Sequence, residues 1–355
     1  MRRSNGGIIG PDNVTTGGFN GVASGVWKLN EVTDLIKQSK WPEINPFPTN
    51  ITPNSLRFNT ASSDSLSRTQ SASPTSATKG TLSFWIKRSL LGTSQYFMST
   101  FQDSNNRVQC EFQADNTLRI IQKNSSATTI NIITNRVFTD PSAFYHVVLA
   151  FDTTQDSSDD RVKLYINGVR ETSFSTNTRP SLNIDSFLTK GTSASLGAYN
   201  GTGDYSSAYF SEIVLIDGQQ LTPTSFGETN SDSGIWIPKT ITGLTFGTNG
   251  YYLKFTNSGA LGEDFSGEDN DFTLNNLTSI DQASDSPSNN FPTFNPLVNN
   301  AGEMMLLSDG NTSCQSNAAQ GNSWKLAVST VGITSGKWYW EAKLVNINNN
   351  NYHGV

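Results

Sequence analysis

The run Phe144 to Glu171 leaves this chain little conformational choice. Phe144, His146, Val148 and Ala150 alternate with Tyr145, Val147, Leu149 and Phe151, and both sets are largely apolar. Such a run reads as a strand covered on both faces. The polar, acidic stretch Asp152 to Asp160 follows. Val162, Leu164 and Ile166 then alternate with Lys163, Tyr165 and Asn167, which gives one buried and one wetter face. Asn167-Gly168 comes next. A type I′ turn needs positive φ at both central residues, so this dipeptide predicts a hairpin. A two-stranded ribbon does not stand alone in water, and the remaining chain must supply sheets to pack around it.

The composition agrees. Of 355 residues, 15% are charged and 35% hydrophobic, and Ser, Thr, Asn and Gly are abundant. Turn formers outweigh helix formers, which favours an all-β protein with many loops. A net charge of −6 without a Lys/Arg cluster argues against nucleic-acid binding. No run of about 18 apolar residues exists to insert into a membrane as a helix. The start MRRSNGGIIGPDN has no apolar h-region, so a secretory leader is not expected. Cys110 and Cys314 are too few for a disulfide framework, although one long-range bridge stays open.

The order Phe144-Tyr145-His146-Val147-Val148, Phe151-Asp152, then Val162-Lys163-Leu164-Tyr165-Ile166-Asn167-Gly168-Val169 resembles the centre of concanavalin A-like (LamG-type) jelly-roll domains. Tyr145 stands where that family usually has tryptophan. Upstream, Thr81-Leu82-Ser83-Phe84-Trp85-Ile86-Lys87 resembles another strand of the family. Downstream, Ala208-Tyr209-Phe210-Ser211-Glu212-Ile213 resembles a third, with Ser211 in place of the usual Asp. The resemblance covers about Pro53 to Trp236 and implies a jelly-roll sandwich. It leaves the activity open.

Four regions are expected. Residues 1–50 form an N-terminal arm. Asn30 caps a short helix over 31–40, and Pro42, Pro46 and Pro48 end it. Trp27, Leu29, Val32, Leu35, Ile36 and Trp41 are an apolar set with no core of their own. They read either as packing on the next domain or as a docking surface for other virion proteins. The pattern around Gly6 to Gly10 and Ser24 to Val32 also resembles leaders of tailed-phage structural proteins. Residues 51–238 form the LamG-type sandwich, with strands expected over 55–59, 80–88, 95–102, 107–113, 117–123, 128–134, 144–152, 161–169, 193–198 and 207–217. Residues 239–299 read as a β-hairpin extension, built from 250–255 and 270–274, followed by a Pro/Ser/Asn linker. In residues 300–355, Ser335-Gly336-Lys337-Trp338-Tyr339-Trp340-Glu341-Ala342-Lys343-Leu344 resembles the signature strand of SPRY domains. That domain needs more chain, so a fragment is expected.

No catalytic constellation stands out. His146 falls inside a buried strand and reads as a satisfied core histidine. Glycoside hydrolysis needs paired carboxylates, and the cluster Glu263 to Asp269 reads as a loop, so no enzyme is expected. LamG-type domains often bind calcium, which takes several oxygen ligands. Asp152, Asp156, Asp159 and Asp160, or Asp204, are the candidates, and solvated turn acids explain them equally well. Tyr199, Asn200, Asp204, Tyr205 and Tyr209 combine flat apolar faces with hydrogen-bonding groups, as sugar recognition requires. The competing reading is that these tyrosines cap the core edge.

Together these features predict a virion protein, a tail fibre or tail-associated adhesin. It would dock by its N-terminal arm and present lectin-like sandwiches to host-surface polysaccharide, with a homotrimer favoured. A capsid decoration protein and a polysaccharide-degrading enzyme are the alternatives.

Overall fold

In the computed structural model, the described residues are 51–70, 72–231, 233–298, 305–316, 326–332, 334 and 341–343, with the backbone of one short ladder, β1 (Ile8–Ile9) and β2 (Val26–Trp27). The helix expected over 31–40 lies outside them. So do the side chains of Trp27, Leu29, Val32, Leu35, Ile36 and Trp41, and most of the stretch 335–344.

The described residues form a two-sheet β-sandwich. The first sheet has the order β12 (Val169–Arg170), β11 (Val162–Ile166), β10 (Tyr145–Asp152), β5 (Lys79–Arg88), β15 (Ala208–Asp217), β3 (Ser55–Phe58), β20 (Gln282–Ala283), and β18 (Tyr251–Leu253) also pairs with β15. The second runs β13 (Phe174–Thr178), β9 (Ala127–Val137), β8 (Thr117–Asn124), β7 (Asn106–Phe112), β6 (Gln95–Asp103), β14 (Ser193–Leu196), β4 (Ser65–Thr69), β19 (Thr273–Asn275). All ten expected strands of residues 51–238 are present. Four more are present: β16 (Gly227–Thr229) and β17 (Trp236–Pro238) pair in a separate ladder, and β4 and β13 of the sandwich read SLSRT and FSTNT, each with a single apolar residue, too little alternation to announce a strand.

The hairpin forms as its sequence dictates. Asn167 and Gly168 take φ of 48° and 79°, and Ile166 pairs with Val169. Gly168 is required twice over. A Cβ there would sit 2.6 Å from the Trp236 ring. Between the sheets, Leu82, Phe84, Leu149, Leu164 and Leu215 meet Phe97, Cys110, Leu118 and Ile120 in one continuous core.

The central strands β5, β10 and β15 of the first sheet also bury their opposite faces. Val148, Val214 and Ile216, with Tyr252 of the added strand beside Val214, pack under Phe226 and Phe246, and Trp85, Phe144 and Tyr209 pack with Trp236. The chain after β15 provides this roof, which explains why the 144–152 run is apolar on both sides. A β-bulge in β15 makes the second face possible. The register slips between Ser211 and Val214, and Glu212 adopts φ 51°. One extra residue reverses the alternation, so Phe210 and Ile213 both face the inter-sheet core while Val214 faces the roof.

Residues 239–298 differ from the expected hairpin and linker. The strand at 251–253 pairs with β15 in the first sheet, and the strand at 273–275 pairs with β4 in the second. They complete two sheets rather than one hairpin, because Tyr251, Leu253 and Phe272 belong to the inter-sheet core. The Ser/Pro/Asn stretch is also tied down. Buried Lys87 forms an ion pair with Asp285 and donates to Asn290 Oδ1 (3.0 Å) and the Phe291 carbonyl (2.9 Å). Its ammonium lies 5.4 Å from the Phe144 ring centre and 5.3 Å from that of Tyr209. Composition reads as a linker, and a distant buried cation fixes it to the sandwich. Farther on, β21 (Met305–Ser308) pairs with β22 (Ser313–Ser316), and the turn between them docks on the sandwich, with Asn311 donating to the Ser89 carbonyl at 2.7 Å.

Candidate ligand-binding face

Four of the five residues singled out as ligand-binding sit in one turn at the second sheet. Asn200 and Gly201 take φ of 45° and 71°, and the Thr202 N–H donates to the Tyr199 carbonyl at 2.9 Å, which makes a type I′ turn. The Tyr199 N–H donates to the Gly203 carbonyl at 2.7 Å, and the Asn200 N–H to Ser99 Oγ at 2.9 Å, which ties the turn to β6. The half-buried Tyr199 ring stands edge-on to Tyr96 (5.1 Å) and Phe101 (5.3 Å). Asp204 is exposed at φ 44°, and its carbonyl accepts from the Tyr96 N–H at 3.1 Å. Tyr205 is half-buried and its carbonyl accepts from Thr60 Oγ1 at 2.9 Å.

Tyr209 lies elsewhere. It is buried on the roofed face of the first sheet, with its hydroxyl donating to the Gly310 carbonyl at 2.9 Å. For Tyr209 the competing reading, a tyrosine serving packing, describes the structure.

The sheet adds residues that the sequence reading passed over. Arg107, Gln109 and Glu111 of β7 face away from the core and pair in register with Lys123, Ile121 and Arg119 of β8. Asn131 and Ile133 of β9 continue the row. Arg119 reaches Glu111 Oε1 at 3.3 Å and donates from Nε to Asn131 Oδ1 at 3.2 Å. Arg107 donates from Nε to Gln109 Oε1 at 3.0 Å, and its guanidinium lies 5.8 Å from the Phe101 ring centre. The Tyr96 hydroxyl bonds to Glu111. Burial pushes the Glu111 carboxyl above its ordinary value, against the pull of Arg119 and Tyr96. Burial and the neighbouring Glu111 both raise the Tyr96 phenol, which stays protonated and able to donate. The signal for this face was present in the sequence, as polar residues at every second position of two expected strands. What joins those strands to the Tyr199 turn is non-local pairing.

The result is a row of hydrogen-bonding side chains flanked by aromatic rings. Flat apolar surface beside convergent polar groups is what a sugar ring requires. Among the described residues, no hydrophobic cluster packs across this face, in contrast to the first sheet.

His146 is the satisfied core residue expected. It lies stacked between Trp85 (4.5 Å) and Trp236 (6.0 Å). Its Nδ1 accepts from Trp236 Nε1 at 2.9 Å, so the ring proton sits on Nε2 and is donated to Ser83 Oγ, also 2.9 Å away. That tautomer is the reverse of what a base activating Ser83 would need. Burial lowers the imidazole pKa to about 3, which keeps it neutral.

Three of the candidate calcium acids, Asp152, Asp159 and Asp160, have their carboxylates engaged by neighbours. Asp152 accepts from Thr154 and Gln155 and lies 3.4 Å from Lys79. Asp160 pairs with Lys163 and Arg170, each at 3.3 Å, and Asp159 with Arg179 at 3.7 Å. The Asp156 carbonyl accepts from Arg161. Among the described residues, no group of three or more His, Cys, Asp or Glu is placed to hold a metal ion. In the acidic stretch 263–269, Asp264 organises a loop by accepting from the N–H groups of Tyr252, Ser266 and Asn270.

Residues 60–226 match a family described as the concanavalin A-like lectin/glucanases superfamily, Laminin_G_3. No curated protein matches the chain. Similar solved structures include a native heptameric SAP-like pentraxin from Limulus polyphemus, 18% identical, covering 49% of this chain and 80% of the pentraxin at a TM-score of 0.36. A candidate carbohydrate-binding protein from Bacteroides ovatus ATCC 8483 is 13% identical, covering 63% of this chain and 58% of its own at 0.40. The full-length tailspike protein 2 of Escherichia coli O157:H7 bacteriophage CAB120 is 17% identical, covering 51% of this chain and 24% of the tailspike at 0.36. At these identities and TM-scores the likeness carries no functional weight. The family match stands apart from them, and residues 60–226 form a concanavalin A-like, lectin-like β-sandwich.

Proposed function

We propose that this chain is a virion structural protein of a tailed phage, a tail fibre or tail-associated adhesin, whose sandwich binds host-surface glycan on the outer face of the second sheet. The observation that carries the binding reading is an asymmetry. Residues 218–298 roof the first sheet with Phe226, Phe246 and Trp236, while the second sheet presents Tyr199, Tyr96, Arg107, Arg119 and Asn131 without such a cover among the described residues.

The binding is non-enzymatic. Glu111, the carboxylate central to the face, is committed to Arg119 and Tyr96 rather than set opposite a second acid across a scissile bond. The particle context is motivated by sequence, through the apolar arm around Trp27, the Pro-rich exit at 42–48 and the resemblance to phage leaders. On this reading the arm docks to other virion proteins and the assembly is a homotrimer.

Two measurements test it. The Tyr199→Ala variant, screened with wild type against host-surface polysaccharide, is expected to lose binding while remaining folded; a variant that binds as wild type removes the face from consideration. Immunogold microscopy with antibody to residues 54–238 is expected to label the tail. Label spread over the head replaces the adhesin with a capsid decoration protein, and unlabelled particles remove the virion reading.

A further inference from the structure

Arg107 and Lys123 are register partners across β7 and β8, so both side chains leave the outer face of the second sheet side by side. Like charges directly opposite one another destabilise an antiparallel pair. Both residues are half-buried, which limits how far they can splay into water. Neither is in an ion pair with a described residue. Glu111, the acid on the same strand, is taken by Arg119. Asp103, at the neighbouring turn, is held by the Asn105 N–H at 2.7 Å and Asn106 Nδ2 at 2.9 Å. Arg107 commits only Nε, to Gln109, which leaves its two terminal nitrogens without a hydrogen-bond partner among the described residues. The pair is also continuous with the aromatic edge, since Arg107 packs on Phe101 and Phe101 carries the Tyr199 ring.

We propose that Arg107 and Lys123 form an anion subsite, so that the glycan bound on this face is acidic, with its carboxylate or sulfate between the two cations and a neighbouring sugar ring on Tyr199. The inference rests on the glycan-binding reading of the same face and specifies its ligand class. An anion seated between the cations converts their repulsion into two attractions. The guanidinium fork matches two oxygens of a carboxylate or sulfate, and the lysine supplies a point charge. The whole chain is acidic, with a net charge of −6. Long-range attraction therefore does not gather polyanions, and recognition depends on these two contacts at short range. Selectivity should then weaken with salt while the contact of Tyr199 with the sugar ring persists.

The test uses the full chain and three probes of matched length, oligogalacturonate, its methyl ester and a sulfated neutral oligosaccharide, titrated at low and high salt. Wild type is expected to bind oligogalacturonate or the sulfated probe about tenfold or more tightly than the ester, the factor that one charge-assisted hydrogen bond supplies. Which anionic probe wins tells carboxylate from sulfate. The Arg107→Gln/Lys123→Gln variant is expected to lose that preference, whatever its remaining affinity for the ester, and to unfold at the wild-type denaturant midpoint or above it, because a repulsion has been removed. Equal binding of anionic and ester probes by wild type overturns the anion subsite and leaves the glycan reading standing. So does a preference that survives in the double variant. Binding of none of the three probes overturns the subsite, and the polysaccharide screen of the Tyr199 variant then decides the glycan reading separately.

Discussion

Glu212 offers a quantitative test of the roofed first sheet. Its carboxyl is buried at the β-bulge and accepts a hydrogen bond from the Tyr252 hydroxyl. Burial pushes its pKa up to about 7 from an ordinary 4.5, with Tyr252 and Lys254 opposing that rise. The sign follows from proton linkage. Between the unfolded and folded values the native state holds a proton that the unfolded chain has released. Stability from this group is therefore fully present below about pH 4.5 and is lost as pH rises through about 7. At roughly 1.4 kcal/mol per pKa unit, the full loss is about 3 kcal/mol. The Glu212→Gln variant keeps a carbonyl to accept from Tyr252 and cannot ionise. Urea unfolding of both proteins from pH 4 to pH 8 should show equal stability at the acid end and a variant more stable by about 3 kcal/mol at the alkaline end. Asp64, which burial raises to about 6, adds a slope of the same sign in both proteins, and the difference between them removes it. If the two curves run parallel across that range, Glu212 is not held in the roofed, desolvated position described, and the account of the bulge fails with it.

Gly168→Ala should cost roughly 1–3 kcal/mol, read as a lower urea midpoint, because it forces a Cβ into the Trp236 ring at a positive φ. Lys87→Met should destabilise by about 3–5 kcal/mol, since it strands buried Asp285 without its cation. Limited proteolysis should then cut first within 284–291. The double variant Lys87→Met/Asp285→Leu should recover much of the loss, and a double variant as weak as the single one would refute the ion-pair account.

The sandwich was legible because its strands alternate strongly and its turns carry their own instructions. Asn167-Gly168 specified a hairpin from two residues. Asn200-Gly201 made the second type I′ turn, and the ring face of Tyr199 was identified with it. Tyr209 was misplaced by adjacency in sequence, although its strand was expected over 207–217. Consecutive residues of one strand face opposite ways, and which sheet a strand joins depends on partners more than a hundred residues distant. Arg107, Glu111, Arg119 and Lys123 alternate along two neighbouring strands and were legible as one face, but their place beside the Tyr199 turn depends on the distant pairing of β6 with β14. The stretch 279–296 was read from its composition as a linker. Lys87, the residue that fixes it, lies in a strand about two hundred positions earlier, and no local pattern could announce it.

The closure of the sandwich also has a temporal side. Thr52 and Ser288 bond to each other across 236 residues, and the short strands at either end of that span, 55–58 and 282–283, are neighbours in one sheet. The first strand is therefore made long before its edge partner exists. Even after it pairs with the strand at 208–217, its other edge stays open while the rest of the chain emerges, and open edges of this kind are exposed to wrong partners. Synthesis that stalls before residue 282 leaves that edge open to neighbouring chains.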